Sequence, residues 1–97
     1  MGRDDSHGAF DALELRLIAY LLKRRCVSPK RAKRREAILR DMRATRNKKE
    51  VMKTLKRLMR MGIVGQTKKG KAGKIHYYVD PEEARRILEA YGKLYRM

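Results

Sequence analysis

The stretch Asn47-Lys48-Lys49-Glu50-Val51-Met52-Lys53-Thr54-Leu55-Lys56-Arg57-Leu58-Met59-Arg60-Met61-Gly62-Ile63-Val64 decides the fold. Asn47 is a good helix cap, and Glu50 three residues later completes a capping box. Gly62 is a good C-terminal stop. The spacing therefore predicts a helix, the third of the chain, over Lys48–Met61. On a wheel of about 100° per residue, Lys53, Lys56 and Arg60 fall within roughly 40° of Lys49. Val51, Leu55 and Leu58 fall at roughly 180° to 240°, on the opposite side. One face is an anchor and the other a narrow cationic ridge. No acidic residue interrupts the ridge, and Met52 and Met59 flank the apolar side.

Upstream, Thr45-Arg46-Asn47 is a short turn. Before it lies a second helix that should reach Ala44, with Ala37, Ile38 and Met42 facing inward. Ser28-Pro29 suits a helix start, because proline is favoured at the first helical position. The run Lys30, Arg31, Lys33, Arg34, Arg35 is too polar to pack, so the start lies anywhere from Pro29 to Arg35, or the run is a mobile arm. Two helices joined by three residues fit a helix-turn-helix. Further upstream, Asp11 and Glu14 form a capping box, and Phe10 and Leu15 suit a hydrophobic staple. The first helix should span about Ala12–Arg25. It is apolar over most of its girth, as a helix buried on several sides should be.

Downstream, the period changes from helical to alternating. Ile75, Tyr77 and Val79 alternate with His76 and Tyr78 as in a half-buried strand, and Val64–Lys68 is a weaker partner. The glycines in Lys69–Lys74 suit a hairpin loop. Lys68, Lys69, Lys71 and Lys74 make its tip basic. Asp80-Pro81 opens a fourth helix, with Glu83 closing a third capping box. Ala84, Ile87, Leu88, Tyr91, Leu94 and Tyr95 form its stripe over about residues 81–96. That stripe is expected to be a dimer interface; the alternative is packing against the first helix of the same chain.

At 97 residues the chain is one domain, expected over 10–97 after a flexible tail of residues 1–9. The net charge of +16 is unevenly spread. Residues 1–22 and 75–97 carry −2 and 0, while residues 23–74 carry 21 basic and three acidic side chains, a net +18. Nucleic acid best rewards this concentration, because each neutralised phosphate releases counterions. Cys26 is the sole cysteine, which excludes an internal disulfide and reads as intracellular. The longest apolar run, Leu17–Leu22, is too short for a bilayer. No catalytic set is visible, and His7, His76 and Cys26 do not make a zinc site. Neither enzymatic activity nor a cofactor is expected, and the location expected is cytoplasmic, nucleoid-associated. The many charges, short loops and capping boxes would suit a thermophile.

The order helix, helix, turn, helix, hairpin, helix resembles the winged helix-turn-helix superfamily. The segment Glu50–Val64 is similar to the third helix and strand entry of ArsR-, MarR- and PadR-like regulators, with their Val, two Leu, then Gly and two aliphatics. The resemblance implies a mostly helical α+β fold with a three-helix core, a two-stranded hairpin wing and a C-terminal helix. It implies that the third helix reads DNA, the hairpin is the wing and flanking helices dimerise. A helix of this width fits the major groove of duplex DNA. Lys48, Lys49, Met52 and Lys53 would then lie deepest, with Arg46, Lys56 and Arg60 nearer phosphates and the wing lysines on the backbone or in the minor groove. The basic run departs from the family pattern and suggests extra phosphate contact by Arg34 and Arg35.

The leading expectation is a homodimeric, sequence-preferring regulator of duplex DNA. A non-specific architectural DNA-binding protein is the alternative, favoured by the lysine bias, since lysine is a point charge with little bidentate base readout. A ribosomal or other structured-RNA-binding winged-helix protein is a second. Few aromatics are free for base stacking, which argues against single-strand recognition.

Overall fold

A computed structural model describes residues 10–43 and 46–91. It contains four helices and a three-stranded antiparallel sheet: α1 (Ala12–Lys23), a 3-10 turn (Pro29–Arg31), β1 (Lys33–Arg34), α2 (Arg35–Met42), α3 (Lys48–Arg60), β2 (Val64–Lys69), β3 (Lys74–Val79) and α4 (Pro81–Ala90). The strand order is β1-β3-β2. The expected tail at residues 1–9, the end of the second helix at Ala44, and Leu94 and Tyr95 lie outside the described residues.

The first helix is apolar all round because it is the hub. Leu17, Ile18 and Leu21 have no exposed surface, and α1 packs against α3, α4 and β3. Fully burying one such side chain is worth about 1.5–3 kcal/mol. The Asp11 carboxylate accepts from the Glu14 amide at 2.7 Å, and the Glu14 carboxylate accepts from the Asp11 amide at 2.9 Å. The first capping box is therefore complete. The other two are half-formed. Asn47 accepts from the Glu50 amide, but Glu50 turns to the Arg46 guanidinium at 3.4 Å. Asp80 accepts from the Glu82 and Glu83 amides, while Glu83 pairs with Arg86.

Two helices end in the same way. After α3, the Gly62 amide donates to the Met59 carbonyl and the Ile63 amide to the Leu58 carbonyl, with Gly62 left-handed at φ 78°. After α1, which stops at Lys23 and not at Arg25, the Arg25 amide donates to the Leu22 carbonyl and the Cys26 amide to the Leu21 carbonyl. Arg25 takes the left-handed position at φ 60°. Glycine is the usual residue there, since a Cβ costs about 1–2 kcal/mol.

The largest correction concerns the basic run. It is not an arm, and only its last residue, Arg35, begins the second helix, at the late end of the expected range. Pro29–Arg31 form the 3-10 turn, with no side-chain cap from Ser28. Lys33 and Arg34 pair with Tyr77 and His76 of β3, so the hairpin becomes the larger part of a three-stranded sheet. Helix α2 therefore starts only at Arg35, with Ala37, Ile38 and Met42 buried. In the hairpin, Gly65 faces Tyr78 across the ladder. A Cβ on Gly65 would stand 2.5 Å from the Tyr78 ring, so the ring lies over the bare backbone.

Within the single chain, the stripe of α4 packs as the alternative expectation has it, against α1. Ala84, Ile87 and Leu88 are 0%, 8% and 6% exposed within the single chain, because α4 packs on α1. Tyr91, just past the helix, meets Phe10 edge-on at 6.2 Å, and its hydroxyl accepts from the Phe10 amide at 3.2 Å. The described part of the stripe packs in cis, the described helix is Pro81–Ala90, and residues 92–96 of the expected span lie outside the described residues. The covering of Phe10 by Tyr91 also ties the chain preceding α1 to the end of α4.

Candidate nucleic-acid interface

The cationic ridge of α3 has the geometry its spacing dictates. Lys49, Lys53, Lys56 and Arg60 are exposed, while Val51, Leu55 and Leu58 have no accessible surface. Each anchor residue sits in the core that α1 organises, so the ridge is carried by a helix that cannot roll. Lys48 is exposed at the first helical position. Met52 and Met59 are half-buried against the core. Met52 therefore fills a gap with much of its side chain, and less of it is free for a partner than the ridge lysines offer.

Arg57 stands beside the ridge and does different work. Its Nε lies 3.2 Å from the Glu14 carboxylate and one of its terminal nitrogens 3.1 Å from the Asp11 carboxylate. The same terminal nitrogen donates to the Thr54 hydroxyl at 3.3 Å. Glu14 is 6% exposed, so its charge needs partners, and the Asp11 amide and Arg57 supply them. Sequence reading missed this bridge from α3 to the start of α1. The available signal was an acidic residue within the most apolar helix, and an arginine off the ridge.

The groove between α2 and α3 adds residues the sequence reading did not single out. About 680 Å³ in volume, it is lined by Glu36, Leu39, Arg40, Arg43, Arg46, Asn47 and Lys48. Arg40 lies in the last turn of α2 and Arg43 is its C-cap with helical backbone, so the two, three apart, share a face. Arg46, in the turn, joins them to the start of α3. The four cations Arg40, Arg43, Arg46 and Lys48 thus surround the junction of the two helices, next to the first ridge residues. Glu36 is the acidic residue of the lining, and its carboxyl lies below the usual range. A hydrogen bond to its own backbone amide is the main cause, helped by Lys74, Arg35 and Arg34.

The remaining expected contacts divide. Lys68, Lys71 and Lys74 are exposed on the hairpin. Gly70 and Gly73 are left-handed and turn the tip. Lys69 is half-buried and donates to the Lys30 carbonyl at 2.9 Å, so it clasps the 3-10 turn to the hairpin. It is a structural cation more than a free one. Arg34 is exposed on β1, 3.7 Å from Glu36, and Arg35 is half-buried at the start of α2. The hairpin cations therefore form one group and the α2–α3 cations another.

A contact between α1 and α2 holds the second helix in place. The Tyr20 hydroxyl donates to the Asp41 carboxylate, and the Arg24 guanidinium lies 5.1 Å from the Tyr20 ring centroid. Burial raises the Tyr20 hydroxyl well above the tyrosine range, helped by Asp41. The hydrogen bond from Tyr20 holds Asp41 below the usual carboxylate range, helped by Arg40, Arg24 and Lys33. Burial pushes the Cys26 thiol up, away from the reactive thiolate. Among the described residues no helix is long and apolar enough to cross a membrane, and no cluster of three metal-binding side chains occurs. Comparison of the chain with protein-family models, with curated proteins and with solved structures finds no match.

Proposed function

We propose that this protein binds duplex DNA as a winged helix-turn-helix, with α3 in the major groove. The observation that carries the reading is the ridge of Lys49, Lys53, Lys56 and Arg60, exposed and free of acidic interruption opposite a fully buried Val51-Leu55-Leu58 anchor. A protruding helix whose far side is locked to a core suits a groove about 12 Å wide. The element order supports the same reading. Helices α2 and α3 stand as the helix-turn-helix pair, and β2 and β3 as the wing, with β1 closing the sheet. The α2–α3 groove then brings Arg40, Arg43, Arg46 and Lys48 to the flanking phosphates.

Within this reading the protein is a sequence-preferring regulator. One observation favours the second reading, a non-specific architectural protein. The ridge offers three lysines and a single arginine, and Met52 is half-turned into the core. Phosphate contact is thus better provided than base readout.

The test measures affinity for a library of duplex sites, for random duplex and for structured RNA across a salt series. A preferred site, with a salt slope of about −0.9 per phosphate contacted, is the expected result. Equal affinity for every duplex would favour the architectural reading. Tighter binding to structured RNA at matched salt would overturn both.

A further inference from the structure

A second cationic feature lies away from α3 and the hairpin. The end of α1, the chain after it and the first turn of α4 enclose a cleft of about 500 Å³. Leu22, Val27 and Pro81 supply apolar wall, and Arg25, Arg31 and Arg85 line it with guanidinium groups. None of the three arginines forms an ion pair with a carboxylate among the described residues. Arg85 has Glu82 and Glu89 three and four residues away on its own helix, yet pairs with neither. Its neighbour Arg86 does take such a partner, Glu83. All three are exposed, so water screens their mutual repulsion, and an anion in the cleft would pair with guanidiniums that no carboxylate occupies.

Backbone geometry points the same way. Arg25 occupies the left-handed position that ends α1, where α3 has Gly62 in the identical hydrogen-bonded turn. An arginine there costs stability that glycine would not. A strained residue that lines a cleft and has no internal partner is a reason to look for a ligand.

We propose that this cleft binds a small organic anion, a phosphate or carboxylate carried on an apolar or aromatic body. The guanidiniums would take the anionic head in charge-assisted hydrogen bonds, and Leu22, Val27 and Pro81 would cover the apolar body. The volume lies in the range of small-molecule sites. The inference is independent of the DNA reading, because no residue of α3, the α2–α3 groove or the hairpin lines the cleft.

Phenyl phosphate and inorganic phosphate are suitable probes, followed by amide chemical shifts of the full chain at physiological ionic strength, where loose attraction between exposed charges is screened. Phenyl phosphate should saturate, shifting Leu22, Arg25, Val27, Arg31 and Arg85, and should bind about tenfold tighter than inorganic phosphate. Arg25→Gly gives the sharpest reading. It should melt at or above the temperature of the natural chain, since glycine fits the left-handed turn, and should bind phenyl phosphate about tenfold more weakly. Arg85→Gln should weaken binding in the same way, and Lys53→Ala should leave it unchanged. Equal affinity for the two probes would reduce the cleft to an unselective cationic patch and overturn the proposal. Shifts centred on α3, or an Arg25→Gly protein that binds as before, would also overturn it. So would a short duplex that shifts the cleft residues while phenyl phosphate does not, since the arginines would then serve nucleic acid.

Discussion

Helices α3 and α4 are similar in design and opposite in surface. Both are amphipathic, both press an aliphatic stripe onto α1, and both begin with a side-chain oxygen capping the first amides. Their buried faces would not tell them apart. Their exposed faces do. Around α4, Glu82, Glu83 and Glu89 alternate with Arg85 and Arg86, and the sign averages out. Along α3 the exposed ridge is cationic throughout. A mixed face is what solubility asks of any surface helix; a single-signed face costs repulsion that only an anionic partner offsets. The apolar stripe thus reports where a helix sits, and the outer face reports what it is for.

Five variants break or sharpen this contrast. Leu88→Glu has the largest expected effect. It places a carboxylate in the cis contact between α4 and α1, so the protein should lose about 3–5 kcal/mol and melt far earlier. A folded protein of halved sedimenting mass would instead mean that the stripe joins two subunits. Next comes Arg57→Ala, which strands the buried Glu14 carboxylate with the Asp11 amide alone. A loss of about 1–3 kcal/mol is expected in denaturant unfolding. Duplex affinity measured well below the melting temperature should hold, because Arg57 belongs to the scaffold and not to the ridge.

The third substitution is aimed at the ridge itself. Lys53→Ala with Lys56→Ala should lower duplex affinity by about tenfold or more at low salt and flatten the salt slope by about 2. Arg86→Ala on α4 removes a cation too, yet affinity should stay within about twofold. Equal losses from both helices would show that total charge, and not its placement, governs binding. The smallest effect is expected from Tyr20→Phe, on the helix that carries both. Asp41 has its carboxyl held below the ordinary value of 3.8, so the contact's contribution to stability is present above that value and fades as pH falls through the lowered one. Without the Tyr20 hydroxyl, the Asp41 midpoint in an NMR titration should move up toward 3.8. An unmoved midpoint would mean that the neighbouring arginines alone hold it down.

The contrast also marks what was legible in the sequence. Helix α3 could be read almost to the residue, since periodicity, cap and stop glycine are all local. So could the hairpin and the stripe of α4. The partner of that stripe could not, because a hydrophobic period says that a face is covered and not by which chain. Strand β1 was hidden for another reason. Two residues, Lys33 and Arg34, show no alternation, and their pairing is fixed by Tyr77 and His76 more than forty positions away. The Arg57–Glu14 bridge spans a similar distance and leaves no periodic trace. At the candidate site, the ridge cations were evident from the wheel. Arg40 and Arg43 were passed over because the second helix had been read for its buried face alone. Lys69 was counted as free because nothing local reveals that a carbonyl of the 3-10 turn comes within its reach.

The sheet order β1-β3-β2 leaves β2 as an outer strand six residues long. Such a margin is a template on which another chain can add a strand and start aggregation. Gln66 and Lys68 are the exposed side chains there, and Lys69 is held close by Lys30. Lysine on a sheet margin is a common safeguard against that pairing. The hairpin lysines thus carry a duty to the folded protein as well as to any polyanion it meets. Replacing Lys68 with a β-branched apolar residue would leave the chain folded, yet shorten the time it stays dispersed at high concentration.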